Sequence, residues 1–154
     1  MILVGKVWVN MRTIESVAKF DDDLETLVIA MIDELKADRM QSLSAKRFGI
    51  NKNIIIVNHD VNDNDSVSVM VNPQLVWSSS EAITDIECSI DHPGKAFNVK
   101  RAKAIEIEYQ DLIGATCHTY FTLGLARTIL REFDYVNGVT IVDEPAAEDV
   151  AVIG

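Results

Sequence analysis

Two stretches of helical periodicity stand far apart in this 154-residue chain, and the strand-like segments lie mostly between them. In the first, Leu24, Leu27, Val28, Met31 and Leu35 recur at helical spacing behind Asp21-Asp22-Asp23, whose carboxylates suit the positive end of a helix dipole. The second runs from about Thr122 to Val136. Leu125, Ala126, Ile129, Leu130 and Phe133 form its apolar stripe, Thr122 is the expected N-cap, and Asn137-Gly138 the expected stop. Between them, Ile54-Ile55-Ile56-Val57 is a β-branched run with the signature of a buried strand. Val67 to Val71 reads as a second strand, ended by Asn72-Pro73. Ile105, Ile107 and Tyr109 alternate with Ala104, Glu106 and Glu108, and Thr116 to Phe121 is the hairpin partner across an Asp111–Gly114 turn. Strands grouped together, with helices set apart from them, imply an α+β fold rather than a doubly wound sheet.

Charge narrows the function classes. The net charge is −10, and the lysines and arginines are scattered rather than gathered into a stripe, so nucleic acid is not an expected partner. No membrane span and no signal peptide are read from the chain, and a cytoplasmic protein is expected. The two cysteines, Cys88 and Cys117, form no CxxC pair and no disulfide framework, which fits a reducing compartment. Cys117 is expected as a small core group and His118, on the opposite face, as a surface residue. Trp8 and Trp77 are expected as buried anchors, with a contact patch as the other reading. Residues 1–142 read as one domain, and 143–154, rich in Ala, Glu and Asp, as a loose tail. Val139 to Val142 reads as a closing strand.

The second helix carries the chemistry. Its sequence is Gly124-Leu125-Ala126-Arg127-Thr128-Ile129-Leu130-Arg131-Glu132-Phe133-Asp134-Tyr135-Val136-Asn137-Gly138-Val139. It resembles the signature helix of the peptide deformylases, which opens Gly-Leu-x-Ala-Arg and continues His-Glu-x-Asp-His-Leu-x-Gly-Val. Glu132, Asp134, Gly138 and Val139 match, while Arg131 and Tyr135 stand where the two histidines belong. Two imidazoles at i and i+4 share a helix face and grip one metal ion, with the adjacent Glu as general base. A guanidinium has donors only and stays charged, and a phenol rarely gives up its proton near neutrality.

Three further segments extend the resemblance. Ile86-Glu87-Cys88-Ser89-Ile90-Asp91-His92-Pro93-Gly94 is similar to the family's Glu-Gly-Cys-Leu-Ser-x-Pro-Gly motif. Aligned without gaps, Glu87 and Ile90 fit, Cys88 falls on the glycine, and Ser89 falls on the metal-binding cysteine. A one-residue shift makes Cys88 the ligand but spoils the Glu and Pro-Gly register, so the gapless alignment is preferred. Met40 to Gly49 takes the place of Gly-x-Gly-Leu-Ala-Ala-x-Gln-x-Gly. Leu43, Ala45 and Gly49 fit, Ser42 replaces a glycine, and Arg47 stands where the oxyanion-stabilising glutamine belongs. Asn72 to Ser79 resembles the family's Ile-Asn-Pro-Glu-type strand. The likeness spans roughly residues 10 to 142.

This resemblance implies a deformylase-like α+β fold: antiparallel and mixed sheets around a central signature helix, with an N-terminal helix. In the family a divalent metal held by one Cys and two His activates water, the Glu moves a proton, and Gln with a backbone N–H stabilises the oxyanion. Here Glu132 is the retained base position, Arg47 takes the oxyanion position, and no metal ligand survives among Ser89, Arg131 and Tyr135. Ser42, Leu43, Glu87, Cys88, Ser89, Ile90, Arg131 and Tyr135 are then a vestigial pocket. Arg131 is expected to pair with Glu132 or Glu87 in place of the ion. The expected function is a metal-free deformylase-like protein without deformylase activity, keeping a groove for an N-terminal peptide or nascent chain. The alternative is an active deformylase with an altered site holding Fe, Ni or Zn, through Cys88. Cys88 as a nucleophile with His92 as its base is a further enzymatic reading, set against a packed cysteine and a loop histidine.

Overall fold

The computed structural model describes residues 14–63, 65–88 and 94–139, together with the backbone of 2–4, 7–9 and 148–150. Among the described residues it has two helices and ten strands in three sheets. Ile2–Val4 (β1) and Val7–Val9 (β2) form a two-stranded antiparallel ribbon.

The first helix, α1, spans Asp22–Ala37. Asp21 caps it, accepting a hydrogen bond from the Leu24 N–H at 3.1 Å, and Asp22, Asp23 and Glu25 sit in the first turn. It buries Leu24, Val28, Met31 and Leu35 against Leu43, Ile54, Ile56 and Val71, as the periodicity requires.

A five-stranded sheet runs in the order β3 (Ser42–Ser44), β4 (Ile54–Asn58), β5 (Val67–Ser78), β8 (Ala104–Gln110), β9 (Thr116–Thr122), with every neighbouring pair antiparallel. All five residues of β4 are buried, so its β-branched side chains fill both faces. Ile54 and Ile56 join the core under α1. Ile55 and Val57 join a second core with Met70, Ile105, Ile107, Phe121 and the inner face of the second helix. The central sheet thus separates the two helices.

Strand β5 corrects one expectation. Asn72-Pro73 does not end it; the ladder shifts register between Val71 and Gln74 and runs on to Ser78. Asn72 takes the left-handed conformation (φ 52°), which Asn tolerates better than most residues. Its side chain accepts from the Val17 N–H at 2.7 Å and donates to the Val17 carbonyl (2.9 Å) and to Gln110 Oε1 (2.8 Å). The bulge houses a proline that has no N–H for the ladder.

The three-stranded sheet, β10 (Glu148–Val150), β7 (Ala96–Ala102) and β6 (Ala82–Cys88), is antiparallel throughout. Of the segment expected as a loose tail, Glu148–Val150 is a strand, because β7 has a second edge open to pairing. The remainder of 143–154, and the expected closing strand from residue 140 on, lie outside the described residues.

Leu123–Val136 forms α2. Thr122 holds the N-cap position but makes no side-chain capping bond, and Asn137 with left-handed Gly138 (φ 74°) ends the helix. His118 lies at the surface, with Nδ1 3.2 Å from Glu106 Oε1. Cys117 is only half-buried rather than a core group, because β9 is an edge strand. Trp77 is 47% exposed, resting edge-on against Tyr120 rather than anchored in the core; the Trp8 side chain lies outside the described residues.

Candidate functional site

Helix α2 is strapped to both larger sheets by ion pairs, and those straps define the site. Toward the five-stranded sheet, the carboxylate of Glu132 is 3% exposed. Its Oε1 accepts from Ser42 Oγ at 2.9 Å and from Arg47 Nη1 at 2.5 Å. Ser42 opens the edge strand β3, and Arg47 lies in the turn that follows, where its N–H is 3.3 Å from Ser44 Oγ. One turn earlier on the same side of α2, Thr128 donates to Gln41 Oε1 at 2.8 Å. Near the helix end, Lys46 Nζ donates to the carbonyls of Tyr135 (3.0 Å) and Val136 (3.3 Å) and lies 5.3 Å from the Tyr135 ring centroid. A lysine at a helix C-terminus is favoured by the dipole.

Toward the three-stranded sheet, Glu87 on β6 is buried and receives two arginines. Arg101 from β7 approaches side-on, Nη2 at 2.9 Å from Oε1 and Nε at 3.0 Å from Oε2. Arg127 from α2 places Nη1 2.5 Å from Oε2 and also donates to the backbone carbonyls of Val99 (3.0 Å) and Ile83 (2.6 Å). Arg101 also bonds Asp134 of α2 through Nη1. Burial alone would lower the Arg101 pKa. The hydrogen bonds and charges of Glu87 and Asp134 outweigh it, so the pKa is raised and the guanidinium stays charged.

The carboxylates therefore have partners other than the expected one. Arg131 was expected to neutralise Glu132 or Glu87. Arg47 takes the first, and Arg101 with Arg127 takes the second, because all three reach those oxygens from neighbouring elements. Arg131 itself is half-buried, and its guanidinium makes no hydrogen bond or ion pair among the described residues. Glu132 Oε2 is buried with no hydrogen-bond partner among the described residues.

Of the sequence-derived pocket residues, Ser42, Arg47 and Glu132 meet where α2 packs on the 41–47 segment, and Tyr135 meets Lys46 of that segment, whereas Leu43 faces the other side of the sheet, in the core under α1. Glu87 lies at the junction of α2 with β6. Cys88 ends β6 and is exposed, not packed. Ser89, Ile90 and His92 lie outside the described residues, as does the choice between Ser89 and Cys88 at the ligand-cysteine position. Arg101 was missed by the sequence reading. Nothing local marks it, since Asn98, Lys100 and Arg101 give β7 a mixed polar pattern. Among the described residues, no three His, Cys, Asp or Glu side chains come together as a metal site would need. The positions that would face a metal carry a guanidinium and a phenol with an ammonium against it, and one oxygen of Glu132 is already bound by a cation. That donor set does not fit a divalent ion.

Helix α2, with Glu132 buried, thus packs between the five-stranded antiparallel sheet and the smaller three-stranded one, the arrangement of a deformylase-like fold. The polypeptide deformylase family model matches residues 7–150, and the chain belongs to that family. A peptide deformylase-like protein of Rickettsia conorii is 35% identical over 123 residues, covering 80% of this chain and 67% of that one. The peptide deformylase of Finegoldia magna is 30% identical over 128 residues, covering 83% and 78% respectively. Among solved structures, Plasmodium falciparum peptide deformylase superposes with a TM-score of 0.77 at 29% identity, covering 86% of this chain and 79% of that one. An inhibitor complex of Arabidopsis thaliana peptide deformylase 1B gives a TM-score of 0.81 at 25% identity, covering 86% and 74%.

Proposed function

We propose that this protein is a deformylase relative that binds no catalytic metal, does not remove formyl groups, and keeps a groove for an extended N-terminal peptide. The observation that carries the reading is the Arg47–Glu132 pair. The residue at the oxyanion position is bonded at 2.5 Å to the carboxylate at the general-base position. One oxygen of the carboxylate is already occupied by the guanidinium, and a guanidinium so engaged is not aimed at a developing oxyanion. Arg131 offers no lone pair and Tyr135 only a protonated, hard phenol oxygen where imidazoles would stand. Water beside them keeps its ordinary high pKa, and Glu132 has no activated nucleophile to serve.

The groove follows from the sheet edges. Strand β3 ends one sheet and β6 ends another, and α2 is tied to both through Glu132–Ser42 and Arg127–Glu87. An extended peptide adds to such an edge through its backbone, whatever the chemistry beside it. A cytoplasmic setting fits this reading, and no described helix is long and apolar enough to cross a membrane.

The test is an assay on a formyl-Met peptide with the purified protein, alone and after adding iron, nickel or zinc. The proposal expects no formate release under any condition, with peptide binding still detectable by calorimetry. Turnover on adding metal would establish the alternative, an active enzyme with an altered site using Cys88.

A further inference from the structure

We infer that Arg131 is a ligand-recognition residue whose guanidinium takes a carboxylate carried at the end of an extended peptide lying in the groove over α2. This rests on the metal-free reading above and deepens it. The placement comes from the neighbours of Arg131 on the helix. One turn earlier, Arg127 reaches Glu87 and the Ile83 carbonyl on edge strand β6. One turn later, Tyr135 meets Lys46 in the turn beyond edge strand β3. Arg131 shares a helix face with both, so it lies between the two sheet edges.

Its electrostatic situation sets it apart. Arg47, Arg101 and Arg127 each hold a carboxylate. The two acidic residues beside Arg131 on α2, Glu132 and Asp134, are engaged by Arg47 and Arg101. Arg131 is half-buried, yet no hydrogen bond or ion pair is made by its guanidinium among the described residues. A guanidinium presents five N–H donors in a planar fork, and its complement is a carboxylate bound through two parallel hydrogen bonds. The substitution of a metal ligand by arginine thus changes the recognised end group from a neutral acyl to an anion.

The experiment uses two peptides of one sequence, Met-Ala-Ser with an amidated C-terminus, capped at the N-terminus by formyl or by succinyl. Both are titrated calorimetrically into the wild-type protein, Arg131→Gln and Arg131→Lys. Thermal melts of each variant confirm folding. The succinyl peptide is expected to bind about tenfold or more tighter than the formyl peptide, the range for a charge-assisted hydrogen bond. Arg131→Gln should abolish that difference, and Arg131→Lys should keep part of it. Equal affinities in the wild type, or a preference that survives in Arg131→Gln, overturns the inference. Inorganic phosphate is titrated alone. If it binds in an Arg131-dependent way while succinyl gives no gain, the cation serves a free anion and the peptide-borne carboxylate is wrong. Failure of the underlying reading has a separate signature: bound metal or formate release in the same preparation, or no binding of either peptide.

Discussion

Replacing Arg101 by alanine is expected to be among the most destabilising single changes at the base of α2. Its side chain is 5% exposed and binds Glu87 through two nitrogens and Asp134 through a third. Removing one member of a buried ion network leaves its partners desolvated without compensation, a loss of about 3–5 kcal/mol. Two features place Arg101→Ala near the lower bound. Glu87 keeps Arg127 at 2.5 Å, and the Asp134 side chain is 26% exposed and regains water. A loss of about 3 kcal/mol corresponds to a melting point lowered by roughly 6–12 °C for a chain of this size. The reference is Lys103→Ala, which removes an exposed pair to Glu81 at 3.4 Å and should stay within about 0.5 kcal/mol of wild type. Urea unfolding followed by far-ultraviolet circular dichroism measures both. If Arg101→Ala unfolds within about 0.5 kcal/mol of Lys103→Ala, the argument from desolvated carboxylates is refuted.

Other outcomes follow from single observations. Asp21→Ala should cost about 1 kcal/mol because it removes a formed N-cap bond, whereas Thr122→Ala should cost less than about 0.5 kcal/mol because its hydroxyl makes none; urea midpoints compare them. Leu123 sits at φ 54° with its side chain exposed, so Leu123→Gly should cause no loss and up to about 1 kcal/mol of gain, read by thermal melting. The Tyr120 hydroxyl is held above its ordinary pKa by the charge of Glu106 and a hydrogen bond to it. Glu106→Gln should bring its titration, followed by NMR of carbon-13-labelled tyrosine, back toward the usual value.

Both helices were legible because each buries a stripe at helical spacing and carries its own end signals. Strand β5 was cut short in the sequence reading because Asn72-Pro73 is a breaker by local rules. Tertiary bonds from Asn72 to Val17 and Gln110 turn the same dipeptide into a bulge. Strands β6 and β7 gave little signal, since Thr84, Asp85 and Glu87 in one, and Asn98, Lys100 and Arg101 in the other, interrupt apolar alternation. At the site, motif spacing singled out Glu132, Arg47 and Glu87. It did not reveal the pairings, because Arg47 and Glu132 are 85 residues apart and Glu87 and Arg127 are 40 apart. Arginine assignment is decided by which backbone brings a guanidinium within reach, and local sequence carries no record of that.

Elemental analysis of the purified protein, after exposure to iron, nickel and zinc and removal of loose ions, tests the central claim most directly. If Arg131, Tyr135 and the Arg47-bound Glu132 have replaced a metal centre, each element will be found far below one ion per chain. A transition metal retained at one per chain, and lost when Glu132 or Cys88 is substituted, would contradict the account.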